Sequence, residues 1–350
     1  MKKKVKILKN KNVLVRVDYN VPIKNGKITD DLRIRASLPT IKYLLENGAS
    51  KIILISHLGR PDGQKNSELS LKPIVKILKK LLPDQKQIDF CQLPEKDMAN
   101  SYNTTSKITL LENLRFDPGE EKNSKEFIKN IIDATKAEIF VQDGFAVTHR
   151  AHASTDAIKD FLPIYAGILL DTEIKNLKKA IENPKKPLLL ILGGSKIKDK
   201  TPLIDTFLDK ADKIVVGGKI AADGFKSSNP KIYVAEDFDE DATGAKLDIG
   251  PFSTAKIAEE ANNANTIIWN GLLGYAEDPA YATSSTIIAE ILGDIHEKTT
   301  IICGGDTTGF VENLQKIHPG LSYSLISTGG GAALEFLTGN KLPGIEAIED

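Results

Sequence analysis

The sequence predicts an α/β protein with two doubly wound parallel-sheet domains joined by a helix and hinge. The chain has 350 residues, which is more than one hydrophobic core usually serves. Short aliphatic runs without alternation recur along it, as is typical of strands buried on both faces of a parallel sheet. Amphipathic stretches lie between these runs, and such alternation indicates repeated β–α units.

In the first half, four apolar runs predict strands and one amphipathic stretch predicts a well-bounded helix. The helix covers Arg33–Glu46, because Asp30 and Asp31 precede it and Gly48 ends it. The predicted strands are Val13–Val17, Lys51–Ile55, Ile108–Leu111 and Glu138–Val141.

The second half repeats the pattern after a break near residues 160–187. Phe161–Pro163 ends one unit, a helix covers roughly Ala166 to Glu182, and Asn183-Pro184 stops it. The predicted strands that follow are Leu188–Leu192, Lys213–Val216, Lys231–Val234, Thr266–Trp269, Thr300–Cys303 and Ser324–Ile326. We therefore expect two Rossmann-like domains joined by this helix.

Composition excludes several classes of function. The formal net charge is zero, so no bulk attraction to nucleic acid or anionic membrane is expected. The longest aliphatic run, Leu188–Leu192, is too short to span a bilayer, and Arg16 and Asp18 interrupt the N-terminal apolar run. Two cysteines, Cys91 and Cys303, make no disulfide framework. We expect a cytoplasmic protein, and the neutral charge is compatible with a monomer.

Charged and polar residues follow the predicted strands of the first half. In open α/β sheets, ligands bind beyond the carboxyl ends of the strands. All six arginines lie within the first 150 residues, and arginine binds carboxylates and phosphates in bidentate fashion. The asymmetry therefore favours an oxyanion-binding first half, although compositional drift explains it equally well. The segments in question are Asp18–Asn20, Ser56–Pro61, Glu112–Phe116 and Asp143–His152.

Glycine-rich turns follow the strands of the second half. Glycine lets the backbone approach a ligand closely, and two of these turns open predicted helices, from Thr307 and over Ala332–Leu337. A helix N-terminus is a ready phosphate site. Asp306, beside one of them, is a plausible ligand for phosphate-bound Mg²⁺. No Walker A or dinucleotide fingerprint occurs. Spacing alone indicates a nucleotide or phosphate site.

The same segments resemble the signatures of phosphoglycerate kinases, in order and over residues 16 to 345. In the first half the matching segments are Arg16–Pro22, Ser56–Pro61, Leu111–Phe116 and His149–His152. In the second half they are Gly193–Lys200, Leu247–Pro251, Trp269–Gly271, Gly304–Asp306 and Ser327–Ala332.

The resemblance implies an enzyme that moves a phosphoryl group reversibly between 1,3-bisphosphoglycerate and ADP, giving 3-phosphoglycerate and ATP, with Mg²⁺. It implies that Arg33 and Lys200 stabilise the transferring group, that Glu277 takes the ribose hydroxyls and that Asp306 holds the metal. The residues implied for 3-phosphoglycerate are Asp18, Asn20, Arg33, His57, Gly59, Arg60, Arg115 and Arg150. Those implied for the nucleotide are Lys196, Lys200, Asn270, Glu277, Gly304, Gly305, Asp306, Thr307, Gly329, Gly330 and Gly331.

The resemblance also implies a domain division and closure of the domains over the reacting centre. Residues 1–164 and 335–350 would bind 3-phosphoglycerate, and residues 165–334 would bind nucleotide. The second domain is shortened after about residue 221, where family members usually carry several dozen further residues. Lys219 stands where a third glycine is usual, and we read it as a solvated loop lysine. Two alternatives remain open: a non-catalytic binding protein that retains the fold, and a kinase with altered nucleotide-base preference.

Overall fold

The structure, a computed structural model, describes residues 8–24, 26–85, 87–94 and 106–349, without the side chains of residues 24 and 349. It divides into two compact units, Met1–Thr172 with Lys341–Asp350, and Glu173–Asn340. Each unit contains one six-stranded parallel sheet, which confirms the predicted fold class. No helix of the described residues is long and apolar enough to cross a membrane.

The first sheet has the strand order β5-β6-β4-β1-β7-β8. Its central strand β1 pairs in parallel with β4 and β7. The chain adds β4, β5 and β6 on one side of β1 and then β7 and β8 on the other, so the switch point of the sheet lies between β1 and β7. The strands of this unit are β1 Asn12–Arg16, β2 Ile23–Lys24, β3 Lys27–Ile28, β4 Lys51–Ile55, β5 Ile88–Cys91, β6 Ile108–Leu111, β7 Ile139–Gln142 and β8 Ile164–Ala166; β2 and β3 form a separate hairpin.

The helix predicted over Arg33–Glu46 is two helices that meet at Ser37. Pro39 has no backbone N–H and cannot extend the hydrogen-bond ladder of the first helix. The Ser37 N–H instead donates to the Ile34 carbonyl at 3.3 Å. The helices up to the boundary between the units are α1 Leu32–Ala36, α2 Leu38–Glu46, α3 Ile74–Leu81, α4 Pro118–Glu121, α5 Lys125–Thr135 and α6 Ile168–Glu182.

The boundary between the units falls within α6. The helix starts two residues later than predicted, because β8 runs to Ala166 and the Gly167 N–H donates to the Gln142 carbonyl at 2.8 Å. Thr40 and Asp143 hold its first turn: the Ile168 N–H donates to Thr40 Oγ1 and the Leu169 N–H to Asp143 Oδ1.

The second sheet has the order β11-β10-β9-β14-β15-β16, so strands are added on one side of β9 and then, from β14 onward, on its other side. All six strands match predicted runs, and most residues of β9, β10, β14 and β15 are buried. The strands are β9 Leu188–Leu192, β10 Lys213–Val216, β11 Ile232–Val234, β12 Phe238–Glu240, β13 Lys246–Ile249, β14 Thr266–Asn270, β15 Thr299–Cys303 and β16 Leu325–Ile326; β12 and β13 form a hairpin.

Seven helices follow α6 among the described residues, and two of them begin at the predicted glycine turns. The last helix lies in the first unit. They are α7 Ile197–Leu208, α8 Gly218–Ala222, α9 Pro251–Asn263, α10 Thr283–Asp294, α11 Gly305–Ile317, α12 Gly331–Leu337 and α13 Pro343–Glu349.

Each unit has its own apolar core against its sheet. Trp269, the single tryptophan of the chain, is fully buried in the second core on β14. Its indole N–H donates to the Gly271 carbonyl at 2.8 Å, so its polar atom is satisfied, as buried tryptophan requires. The cores hold the strand ends in place, and the loops after them carry the candidate site residues.

Candidate active site

The switch point of the second sheet lies where the loops after β9 and β14 meet. The Gly194 N–H donates to the Leu272 carbonyl at 2.7 Å. A Cβ on Gly193 would stand 2.2 Å from that same carbonyl oxygen. Gly271 has φ +99° and a Cβ there would stand 2.2 Å from the Gly193 carbonyl. Only glycine fits both positions, so the backbones of the two loops pack directly on each other.

A groove of about 660 Å³ crosses the carboxyl edge of the second sheet at this point. Its lining begins at Gly218 beyond β10 and ends at Gly331 beyond β16. These strands are four positions apart in the sheet, and each step measures about 4.8 Å, so the lining spans about 19 Å of the sheet edge. An elongated ligand would therefore meet two chemically different ends.

The end over β15 and β16 is suited to phosphate. Two helices, α11 and α12, begin there, and the first-turn residues Gly305, Asp306 and Gly331 line the groove. Gly304 precedes α11 with φ +92°, and the Thr307 Oγ1 accepts from the Gly271 N–H at 2.9 Å. Unpaired N–H groups and the helix dipole attract anions at such termini.

Lys200 is the buried cation of the groove. Its side chain is 9% exposed and its ammonium donates to Asn270 Oδ1. Burial lowers the pKa of this ammonium, while the Asp199 and Asp306 carboxylates raise it. The Asn270 Nδ2 is buried and makes no hydrogen bond within the described residues. Lys196 lines the same region from an exposed position.

The other end of the groove, over β10, combines apolar side chains with two lysines. Phe238 and Leu247 line it, and the Lys246 ammonium lies 4.5 Å from the centre of the Phe238 ring. Lys219 also lines it and pairs with Asp223 at 2.7 Å, with both side chains more than half exposed. Its side chain is solvated, as expected, but Lys219 lies on helix α8 and not in a loop. Glu277 lines the groove from an exposed position.

Gly329 is the one predicted nucleotide residue that does not line the groove. It is buried, and its N–H donates to Ser327 Oγ at 3.1 Å. Glu173 of α6, which was not predicted as functional, holds this loop. It is fully buried and accepts from the Thr328 N–H at 2.7 Å and from its hydroxyl at 2.9 Å.

In the first unit, the loops after β1 and β4 hold Arg33 in place at the candidate oxyanion site. Arg33 donates to Asp18 Oδ2 at 2.6 Å and to the Asn20 carbonyl at 3.3 Å. Asn20 Oδ1 accepts from the Gly59 N–H at 2.9 Å. Arg33 keeps 27% of its side chain exposed, so its position is fixed while its guanidinium stays open to a ligand.

Arg115 is buried at the end of the loop after β6. Its Nη1 donates to the Gly59 carbonyl at 2.7 Å, and its Nε lies 3.1 Å from the Glu121 carboxylate. The Nη2 is buried and makes no hydrogen bond within the described residues. Burial lowers the pKa of this guanidinium to about 10, although Glu121 raises it. A buried donor without an acceptor is costly, so it points to a missing anionic ligand.

His57 lies where the arginines converge. It is 5% exposed. Burial lowers its pKa well below the usual range, and the guanidinium groups of Arg16, Arg115, Arg33 and Arg150 lower it further. His57 is therefore neutral at physiological pH.

Two more predicted residues lie at the ends of these loops. Arg150 donates through Nε to His149 Nε2 at 3.2 Å. Arg60 follows Gly59 but is exposed, with no hydrogen bond or ion pair within the described residues. The structure thus gathers the predicted residues around His57 except Arg60.

Three buried residues of this site were not predicted as functional: Arg16, Glu120 and Ser154. Arg16 ends β1 at 1% exposure, and Glu120 and Ser154 are fully buried. A charged residue within an aliphatic strand run was the available signal for Arg16, since a charge is buried only when paired. Nothing in the sequence spacing connects Glu120 with Ser154.

Comparison with known proteins tests the resemblance. A family model described as phosphoglycerate kinase matches residues 3–233 and 220–340. The chain belongs to the phosphoglycerate kinase family. A phosphoglycerate kinase of Moorella thermoacetica is 38% identical over 389 aligned positions, which cover 98% of this chain and 97% of the relative.

Solved structures of phosphoglycerate kinases share the whole fold. That of Coxiella burnetii superposes with a TM-score of 0.78 at 33% identity, covering 98% of this chain and 97% of the other. That of Pyrococcus horikoshii OT3 gives 0.85 at 27% identity, covering 98% and 96%. The predicted family and activity are confirmed: the chain is a phosphoglycerate kinase, a glycolytic phosphotransferase with a carboxyl group as acceptor.

Proposed function

We propose that the first unit of this phosphoglycerate kinase binds 3-phosphoglycerate or 1,3-bisphosphoglycerate and that the groove of the second unit binds ADP or ATP. The observation that carries the assignment is the buried Arg115 Nη2, which has no acceptor within the described residues. A phosphate or carboxylate oxygen would satisfy it. Asp18, Asn20, Arg33, His57, Gly59, Arg60 and Arg150 complete the proposed substrate site.

In the second unit, the polyphosphate lies over the starts of α11 and α12 and the base lies against Phe238 and Leu247. Lys196, Lys200, Asn270, Gly304, Gly305, Thr307, Gly330 and Gly331 serve the phosphates, and Glu277 serves the ribose. Gly329 acts indirectly, as part of the buried turn that starts α12. The buried Asn270 Nδ2, which lacks an acceptor within the described residues, supports the phosphate assignment.

Asp306 fits the role of magnesium ligand. Its carboxylate is exposed at the start of α11 and forms no hydrogen bond or ion pair within the described residues. The described residues hold no group of three or more potential metal ligands. Mg²⁺ suits such a site, because it usually takes one or two carboxylates with phosphate oxygens and waters. When bound with the nucleotide, it neutralises charge on the phosphates.

Phosphoryl transfer requires that these residues align the substrates and stabilise charge. The acyl phosphate releases a carboxylate, which is a weak base, so the transfer requires no general base. The transition state is loose, with negative charge on the oxygens of the transferring group. Arg33 and Lys200 are the proposed catalytic residues, because each presents a fixed positive charge that needs no reorganisation during transfer.

We further propose that the nucleotide-binding part is shortened after about residue 221. In support, α8 ends at Ala222 and β11 begins at Ile232. The alignment with the Moorella thermoacetica protein is also longer than this chain. We expect a cytoplasmic monomer, in keeping with the unpaired Cys91 and Cys303; light scattering after size-exclusion chromatography tests the monomer.

A coupled assay with 3-phosphoglycerate, Mg²⁺ and ATP tests the proposed site. Arg33→Ala should lower kcat by about a hundredfold or more while the protein keeps its melting temperature. Arg35→Ala is the matched control, since Arg35 lies on the same short helix, is 49% exposed and pairs only with Asp31 in the described structure. Equal turnover in the two variants would refute the role of Arg33. Folded wild-type protein without turnover would favour the non-catalytic alternative.

A further inference from the structure

Four buried side chains form a continuous hydrogen-bonded chain behind the proposed substrate site. Glu120 Oε1 accepts from the Ser154 hydroxyl at 2.6 Å, and Glu120 Oε2 accepts from the Ser154 N–H at 3.1 Å. The Ser154 oxygen accepts in turn from Arg16 Nε at 2.8 Å. Arg16 Nη2 then lies 3.3 Å from His57 Nδ1. This hydrogen-bonded chain joins Glu120 of α4 to His57 in the loop after β4.

The direction of every bond in this chain is fixed by chemistry. Arginine has only donors, and a serine hydroxyl has one donor and can accept at the same time. Ser154 must therefore give its proton to the Glu120 carboxylate and accept from Arg16. At the other end, Arg16 Nη2 can only donate, so His57 Nδ1 must be the unprotonated, accepting nitrogen of the ring.

The neutral His57 ring then carries its proton on Nε2. The alternative partner of Nδ1, Asp18 Oδ1, is 4.0 Å away, beyond hydrogen-bond distance. No hydrogen bond of the described residues uses Nε2, and the atom is not among the buried polar atoms that lack a partner. An N–H group at this position is a donor available to a substrate oxygen.

The network also explains how a buried arginine is held in one orientation. Arg16 Nη1 donates to the Val17 carbonyl at 2.7 Å, so three of its nitrogens are engaged. Glu120 lies 4.0 Å from Nη2 and supplies the compensating charge, which a buried cation requires. Without Ser154, the guanidinium would lose its Nε acceptor and the Glu120 carboxylate its closest donor.

We propose that Glu120 and Ser154 are positioning residues for substrate binding, which act through Arg16 to hold His57 as the Nε2–H tautomer facing 3-phosphoglycerate. This inference rests on the proposed function, in which His57 contacts that substrate. It assigns a role to two residues that have no contact with the ligand themselves.

Ser154→Ala tests the proposal in the full-length enzyme. The expected result is a KM for 3-phosphoglycerate raised roughly tenfold, the effect of losing one hydrogen bond to a charged group. The KM for ATP and kcat should stay within about twofold, because the interaction is present in ground state and transition state alike. Thr135→Val is the matched control: it removes another buried hydroxyl, which donates to the Ile131 carbonyl at 2.7 Å, and should leave both KM values unchanged.

Long-range ¹H–¹⁵N correlation spectra of the imidazoles report the tautomer directly, and a loss of stability does not change that result. The His57 signals, identified by their absence in His57→Gln, should show Nε2–H in the wild type and a mixture of tautomers in Ser154→Ala. An Nδ1–H tautomer in the wild type overturns the proposal, and this result decides even if Ser154→Ala does not fold. An unchanged KM in Ser154→Ala, with a raised KM in His57→Gln, also overturns it. An unchanged KM in His57→Gln instead overturns the proposed substrate site.

Discussion

Replacing Lys200 by methionine should lower the activity steeply and leave the stability nearly unchanged or raise it. Lys200→Met keeps the length of the side chain and removes the ammonium. At 9% exposure with one hydrogen bond to Asn270, this cation is held at a cost, as its lowered pKa shows. Relief of that burial offsets the lost hydrogen bond, which is worth about 1.5–3 kcal/mol because one partner is charged. We therefore expect the free energy of unfolding to change by less than about 1 kcal/mol, or to rise.

Turnover should fall steeply in the same variant. A preorganised donor to charge that develops in the transition state contributes about 2.7–4 kcal/mol, so kcat should drop by about 10²–10³-fold. The coupled assay measures kcat, and urea unfolding without ligand measures stability. Lys198→Met is the control, because Lys198 lies on the same helix but is exposed and outside the groove. A kcat within threefold of wild type, or a loss of activity matched by lost stability, would refute the reasoning.

Three further predictions follow from buried groups and from the groove. Burial raises the pKa of Asp143 from 3.8 to about 7, so the stability of the wild type is highest below about pH 4 and falls until the pH has passed about 7. Urea unfolding should show Asp143→Asn gaining on wild type between about pH 4 and pH 7 and no further above that; a constant difference would contradict this. Gly167→Ala would place a Cβ 2.0 Å from Asp143 Oδ1 and should cost about 1–3 kcal/mol in thermal unfolding. Gly309→Ala, whose Cβ would meet no atom within 4 Å apart from its chain neighbours and the backbone of its own helix, should cost nothing. The proposed placement of the base against Phe238 and Leu247 predicts that kcat/KM for ATP exceeds that for GTP by no more than about tenfold; a ratio above about a thousand would show specific base recognition.

The sequence was sufficient to predict the central strands but not the two outer strands of the first sheet, β5 and β8. Runs such as Leu188–Leu192 are aliphatic throughout because both faces of the strand are covered. β5 was missed because it is an edge strand, only partly buried, with Asp89 in its middle. β8 has three residues, too few for any periodicity.

The candidate site was predictable where a residue follows a strand, and unpredictable where it acts through a distant partner. Asp18, His57 and Asp306 lie within three residues of the ends of strands β1, β4 and β15. They were predictable because ligands bind beyond the carboxyl ends of parallel strands. Ser154 holds Arg16 across 138 positions of sequence, and no local pattern encodes such a pair. Gly329 belongs to a signature yet lies behind the groove, because a turn motif includes the residues that shape it as well as those that touch the ligand.

The single tryptophan makes the second unit observable on its own. Trp269 is buried one position before Asn270, and its indole N–H bonds the backbone of the loop that lines the groove. Intrinsic tryptophan fluorescence therefore reports from one known place, next to the proposed nucleotide phosphates. Titration with ADP can be followed through this native fluorophore without labelling, and its emission during unfolding reports the loss of the second core rather than the first.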